Sequence, residues 1–211
     1  MHPRGQGARS RDLERLLTFV DAVAAVAITL LVLPLVDLAG EVHSSRDSVS
    51  DLIASHAGRF WAFALSFIVI ARLWLAQHDL MRSVIAQNRA VVACLIMWSL
   101  AIVFLPFPTA LLPVGGDQAV TKVLYMGTLA IASTFLALLA VAVGRTRSIR
   151  ETEHGPPVAP AAVTAALFTI ALVISLVFPV VGYFPLVLLV ATDFAVDAVR
   201  RVPRRGRDDM A

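Results

Sequence analysis

Six apolar runs, each close to the length needed to cross a bilayer, leave this chain few folds to choose from; they fall at residues 13–35, 52–76, 91–107, 119–143, 158–178 and 184–199. A helix needs about 20 apolar residues to cross about 30 Å of hydrocarbon, and in lipid every backbone polar group has to be satisfied within the fold. Each run is therefore expected to form a helix, and the chain an all-α polytopic membrane protein with six transmembrane helices. Composition agrees: 58% of the 211 residues are hydrophobic and only 16% are charged, outside the range of a soluble domain. The expected organisation is a short N-terminal segment (1–12), a six-helix transmembrane domain (13–199) and a basic tail (200–211). Pro106-Phe107-Pro108 is expected to end the third span, and Gly115-Gly116 to make a tight loop. Residues 37–59, with their mixed charges, read as a solvated connection.

Orientation follows from the basic residues. With the N-terminus inside, fifteen of the eighteen Lys and Arg fall on the cytoplasmic side and only Arg46, Arg59 and Lys122 on the other. Both termini are expected in the cytoplasm of a multi-pass cell-membrane protein, with the tail near anionic lipid headgroups. The net charge of +3 is explained by this bias, so no nucleic-acid partner is expected. Nothing at the polar, basic N-terminus resembles a cleavable signal.

The first span carries the most informative residues. Asp21 places a carboxylate inside a membrane helix, where charge is expensive and usually functional. At about 100° per residue, Asp21 lies well over 90° from Val26, whereas Phe19, Val23, Leu30, Leu33 and Asp37 lie near Val26. One face thus looks like an anchor and another is an apolar stripe flanked by Thr29. An up-down topology brings Arg72, Trp74 and His78, and also Asn88 or Arg89, to the depth of Asp21. Either these form a polar cluster around it, or the basic groups snorkel to the headgroups and Asp21 pairs locally. The stripe by itself reads by default as packing or lipid contact, with a pore lining as the lesser alternative.

Other motifs are weak. Val180-Val181-Gly182-Tyr183-Phe184 looks like a degraded potassium filter but lacks the threonine and final glycine, so a turn with an interfacial tyrosine is expected. Asp193 and Asp197, four apart, suit pairing with Arg200 and Arg201 or an ion site. The histidines are scattered without metal-ligand spacing, Cys94 is a lone apolar-run cysteine, and no nucleophile elbow or nucleotide loop is present. Neither a metal, a cofactor nor an enzymatic activity is expected.

The run Arg15-x-x-x-Phe19-x-Asp21 leading into Ala27-Ile28-Thr29-Leu30-Leu31-Val32-Leu33 resembles the lysosomal potassium channel family, the transmembrane protein 175 type, in particular its prokaryotic single-repeat members. Ser66-Phe67, Trp74 and His78, and Leu105-Pro106-Phe107-Pro108-Thr109, are similar to the family pattern as well. The resemblance implies a homotetramer around a central pore lined by the first helix, passing monovalent cations and potassium in particular. By position it implies a hydrophobic constriction at Val26, Leu30 and Leu33, a threonine layer at Thr29 and a pore mouth at Asp37. Arg15, Phe19, Asp21, Arg72, Trp74 and His78 are the implied network holding the lining helix. Val20 stands where the family signature has serine, and Val26 where isoleucine is usual.

The function expected is a potassium-permeable cation channel with a hydrophobic gate. The alternative is a proton-coupled secondary transporter using Asp21, Asp193 or Asp197 within one subunit.

Overall fold

A computed structural model describes residues 10–42, 49–115, 118–151, 156 and 158–178. Among them, eight α-helices and one 3-10 turn account for nearly all of the chain, and the strand-like pairing is a single bridge between Val84 and Arg150. Five stretches are long and apolar enough to cross a membrane: Arg11–Leu38, Ala57–Met81, Arg89–Gly115, Ala119–Arg145 and Val158–Val177. The sixth expected span, with Asp193 and Asp197, the filter-like segment and the basic tail all lie outside the described residues.

Helix α1 (Arg11–Leu30) begins at Ser10, whose hydroxyl accepts the Leu13 amide at 3.3 Å, and Asp12 and Glu14 in its first turn complement the helix dipole. Pro34 has no amide hydrogen, and its ring crowds the carbonyl four residues back, that of Leu30. The helix accordingly breaks at Leu31 and Val32 and resumes as α2 (Leu33–Val42). The expected solvated connection is corrected here: α2 carries helix through residue 42, and α3 (Val49–Ser55) adds two further turns before α4 (Ala57–Met81).

A second correction concerns the prolines of the third span. Helix α5 (Arg89–Phe104) stops where expected, but Pro106 occupies the first position of a new helix, α6 (Pro106–Gly115), after a one-residue break at Leu105. Proline is tolerated there because its missing amide hydrogen has no intrahelical partner in any case. Helix α7 (Ala119–Arg145) follows, then the short 3-10 turn Arg147–Ile149 and α8 (Val158–Val177).

Helix α7 is the most enclosed element, packed against α5 and α8 and also touching α4 and α6, while α1 leans on α5 and α4. Lipid tails are as apolar as leucine, so close packing and internal hydrogen bonds hold such a bundle together. The buried face of α1 fits that rule: Val20, Ala24, Ala27 and Leu31 recur at three- and four-residue spacing, and the two alanines between the larger side chains allow close approach. Buried Ala132 and Ala140 serve α7 in the same way. Two hydroxyls inside the bundle bond to the preceding turn, Thr128 to the Leu124 carbonyl at 2.6 Å and Ser133 to that of Leu129 at 2.9 Å.

At one end of the bundle three chain segments are stitched together. The Ser10 amide donates to the Ile85 carbonyl at 2.8 Å, and the Ile85 amide donates to the Ile149 carbonyl at 2.8 Å. The Glu151 amide reaches the Ser83 carbonyl at 3.0 Å. The base of α1 is thereby tied to the α4–α5 turn and to the segment after α7.

Candidate functional site

The two faces of the first helix are distinct in the folded chain. On one, Asp21 is half-buried and its Oδ1 accepts a hydrogen bond of 2.8 Å from Trp74 Nε1 on α4. A hydrogen bond to an ionised group contributes about 1.5–3 kcal/mol, and a carboxylate at this depth needs such a partner. Trp74 is held in turn by the His78 ring one helical turn on, at a centroid separation of 5.7 Å. His78 itself is exposed and Arg72 is half-buried.

The other face is open. Phe19, Val26 and Leu33 are each 52% exposed and Leu30 is 38% exposed, so no other helix described in the chain covers the stripe. Thr29 and Asp37 are exposed along the same side. The Thr29 hydroxyl donates to the Val26 carbonyl at 2.8 Å. Its proton is thus used within the helix, which leaves the oxygen lone pairs as the outward-facing polar feature between Val26 and Leu30.

Several sequence-singled residues lie elsewhere. Phe19 lies on the exposed stripe and Arg15 is exposed beside Arg11, Glu14 and Thr18, so the Asp21–Trp74 contact does not gather them in the chain. Asn88 does not turn to Asp21: its Oδ1 accepts the Val91 amide at 2.9 Å, capping α5, and its Nδ2 donates to Thr146 Oγ1 at 3.2 Å. Arg89 is exposed. Val20, where the family signature has serine, is fully buried, so packing stands where a hydroxyl is usual.

Two groupings were not foreseen. Beside Asp21 is a cleft of about 220 Å³ lined by Glu14, Leu17, Thr18, Asp21, Gln77, His78 and Met81. Their positions step by three and four along α1 and α4, a spacing from which the facing ridges could have been read. Deeper in the bundle, Ser66 Oγ lies 2.9 Å from both Thr109 Oγ1 and Tyr125 OH, joining α4, α6 and α7. Ser66 and Thr109 stood in family-like motifs, but no local pattern marked Tyr125 as their partner. Among the described residues no three His, Cys, Asp or Glu side chains gather as metal ligands.

A bundle of long apolar helices with a fastened face and an open face on its first span defines a multi-pass α-helical membrane protein. The family model of the endosomal/lysosomal potassium channel TMEM175 matches residues 15–106 of this chain. Its fold is similar to that of a solved lysosomal potassium-selective channel TMEM175 homologue from Chamaesiphon minutus, with a TM-score of 0.63 at 20% identity over 90% of this chain and 98% of that one. No curated protein sequence matches the chain.

Proposed function

We propose that this protein is a potassium-permeable cation channel, assembled as a homotetramer in the cell membrane with both termini cytoplasmic, whose pore is lined by the first helix of each subunit. The observation that carries this reading is the uncovered stripe of α1, opposite the face that Trp74 fastens through Asp21. A helix anchored on one side and bare on the other suits a position on a symmetry axis. The family-model match over residues 15–106 and the fold shared with a potassium-selective channel homologue support it.

In the assembled pore, rings of Val26, Leu30 and Leu33 form a hydrophobic constriction that blocks ions by excluding water, with Asp37 at the mouth. The Thr29 oxygens form a polar layer between the apolar rings, facing ions that keep most of their hydration. Flux is switched by movement of α1, whose break at Leu31 and Val32 separates Leu33 and Asp37 from Val26, Thr29 and Leu30.

A carrier reading draws on the cleft beside Asp21, which holds two carboxylates within one subunit. It is the weaker of the two, because Asp21 is committed to Trp74 and a single-subunit site leaves the bare stripe without a role. Potassium flux into proteoliposomes tests both. The channel reading expects non-saturating potassium flux that rises in Leu30→Ser; absent flux, or flux unchanged by that substitution, overturns it. Saturable, proton-coupled uptake supports the carrier.

A further inference from the structure

We infer that the stitched end of the bundle is a docking surface for anionic phospholipid headgroups, formed by Arg89, Arg145 and Arg147 together with Arg82 and Arg150. The Asn88–Thr146 side-chain bond of 3.2 Å fixes the juxtaposition, since Arg89 adjoins one partner and Arg145 and Arg147 flank the other. The Val84–Arg150 bridge and the Glu151–Ser83 backbone bond bring in the remaining two. Arg82, Arg89, Arg145 and Arg147 are all exposed.

Charge and depth both point to headgroups. Among the described residues of the α4–α5 turn and the segment after α7, the five arginines stand against Asp79, which pairs with Arg82 at 3.4 Å, and Glu151. Arginines therefore outnumber carboxylates in these two segments. Arg89 opens α5, whose first turn has no acidic residue, so its charge sits on the positive end of the helix dipole and an anion there relieves the repulsion. The Arg150 Nε is buried without a hydrogen-bond acceptor among the described residues. The 25 residues of α4 and 27 of α7 are longer than the hydrocarbon layer is thick. At 1.5 Å per residue they reach about 37–40 Å against about 30 Å of hydrocarbon, which puts their ends among the phosphates. At the opposite end the described cationic residues are Arg59 and Lys122, and Lys122 is 1% exposed.

Docked lipid would brace the segments that hold the base of α1 through Ser10 and Ile85. The binding itself does not depend on the channel reading.

The test is native mass spectrometry of the full-length protein, purified in detergent and offered phosphatidylglycerol and phosphatidylcholine in equal amounts. Wild type is expected to retain phosphatidylglycerol in preference, and the preference to fall roughly tenfold or more in Arg89→Gln/Arg145→Gln/Arg147→Gln. Arg59→Gln and the triple lysine variant are expected to keep it. On wild type alone, raising the salt concentration should weaken the preference. Equal retention of the two lipids by wild type overturns the inference, as does a preference insensitive to salt or to loss of the three arginines. Displacement by millimolar inorganic phosphate overturns it as well, by assigning the site to the free ion.

Discussion

Trp74 Nε1 and Asp21 Oδ1 meet at 2.8 Å across the α1–α4 contact, and this bond fixes the rotation of the first helix. The carboxylate points to a neighbouring helix, so Val26 and Leu33 are turned outward. Trp74→Phe keeps most of the ring but removes the donor. A loss of about 1.5–3 kcal/mol is expected, read as a lower unfolding temperature in detergent. In a double-mutant cycle with Asp21→Asn the two losses should fall short of additive. Additive losses would mean that the pair does not act as a unit.

Thr29 makes a sharper test of the stripe, because its hydroxyl bonds within its own helix turn at 2.8 Å and its side chain is otherwise exposed. Thr29→Val preserves shape while removing the oxygen. The unfolding temperature is expected to stay nearly unchanged while potassium flux in liposomes falls, and Thr29→Ser should restore flux. A variant that conducts like wild type would remove the polar layer from the mechanism.

Helix periodicity made the contrast between Asp21 and the Val26 stripe legible before any coordinates, since 3.6 residues per turn determine which side chains share a face. Hydropathy likewise located the five spans among the described residues. It failed where a short helix is not apolar enough to announce itself, as in α3, and where proline starts a helix instead of ending one, as at Pro106. Contacts between distant segments were hidden for another reason. The bond from Ser66 to Tyr125 spans 59 residues, and nothing local to either one encodes it. Depth alone puts Asn88 level with Asp21, whereas its use as a helix cap depends on the turn preceding α5.

That hydroxyl cluster predicts a stability effect away from the stripe. Tyr125 is fully buried and its OH lies 2.9 Å from Ser66 Oγ, which also meets Thr109 at 2.9 Å. Tyr125→Phe removes one partner and leaves Ser66 with Thr109, so a cost of about 0.5–1.5 kcal/mol is expected. Thr109→Val with Tyr125→Phe strands the Ser66 hydroxyl and should cost more than either change alone. Thermal unfolding of the three variants checks the order; equal midpoints would show that the cluster contributes nothing to the α4–α6–α7 junction.

Gly115, the last residue of α6, lies close against Thr121 in the first turn of α7. A Cβ at this position would lie 2.9 Å from Thr121 Oγ1, nearer than side chains tolerate, and Thr121 is buried with a short branched side chain that has little room to move. The turn here is also tight, with the Gln118 amide donating to the Gly115 carbonyl at 2.9 Å. Gly115→Ala is therefore expected to destabilise by about 1–3 kcal/mol through overpacking. The diagnostic step is the second substitution. Thr121→Ala removes the clashing oxygen and should recover most of the loss in the Gly115→Ala background, whereas Thr121→Val keeps a branch at the same place and should not. Recovery by neither would trace the cost to the backbone of the turn and not to this contact.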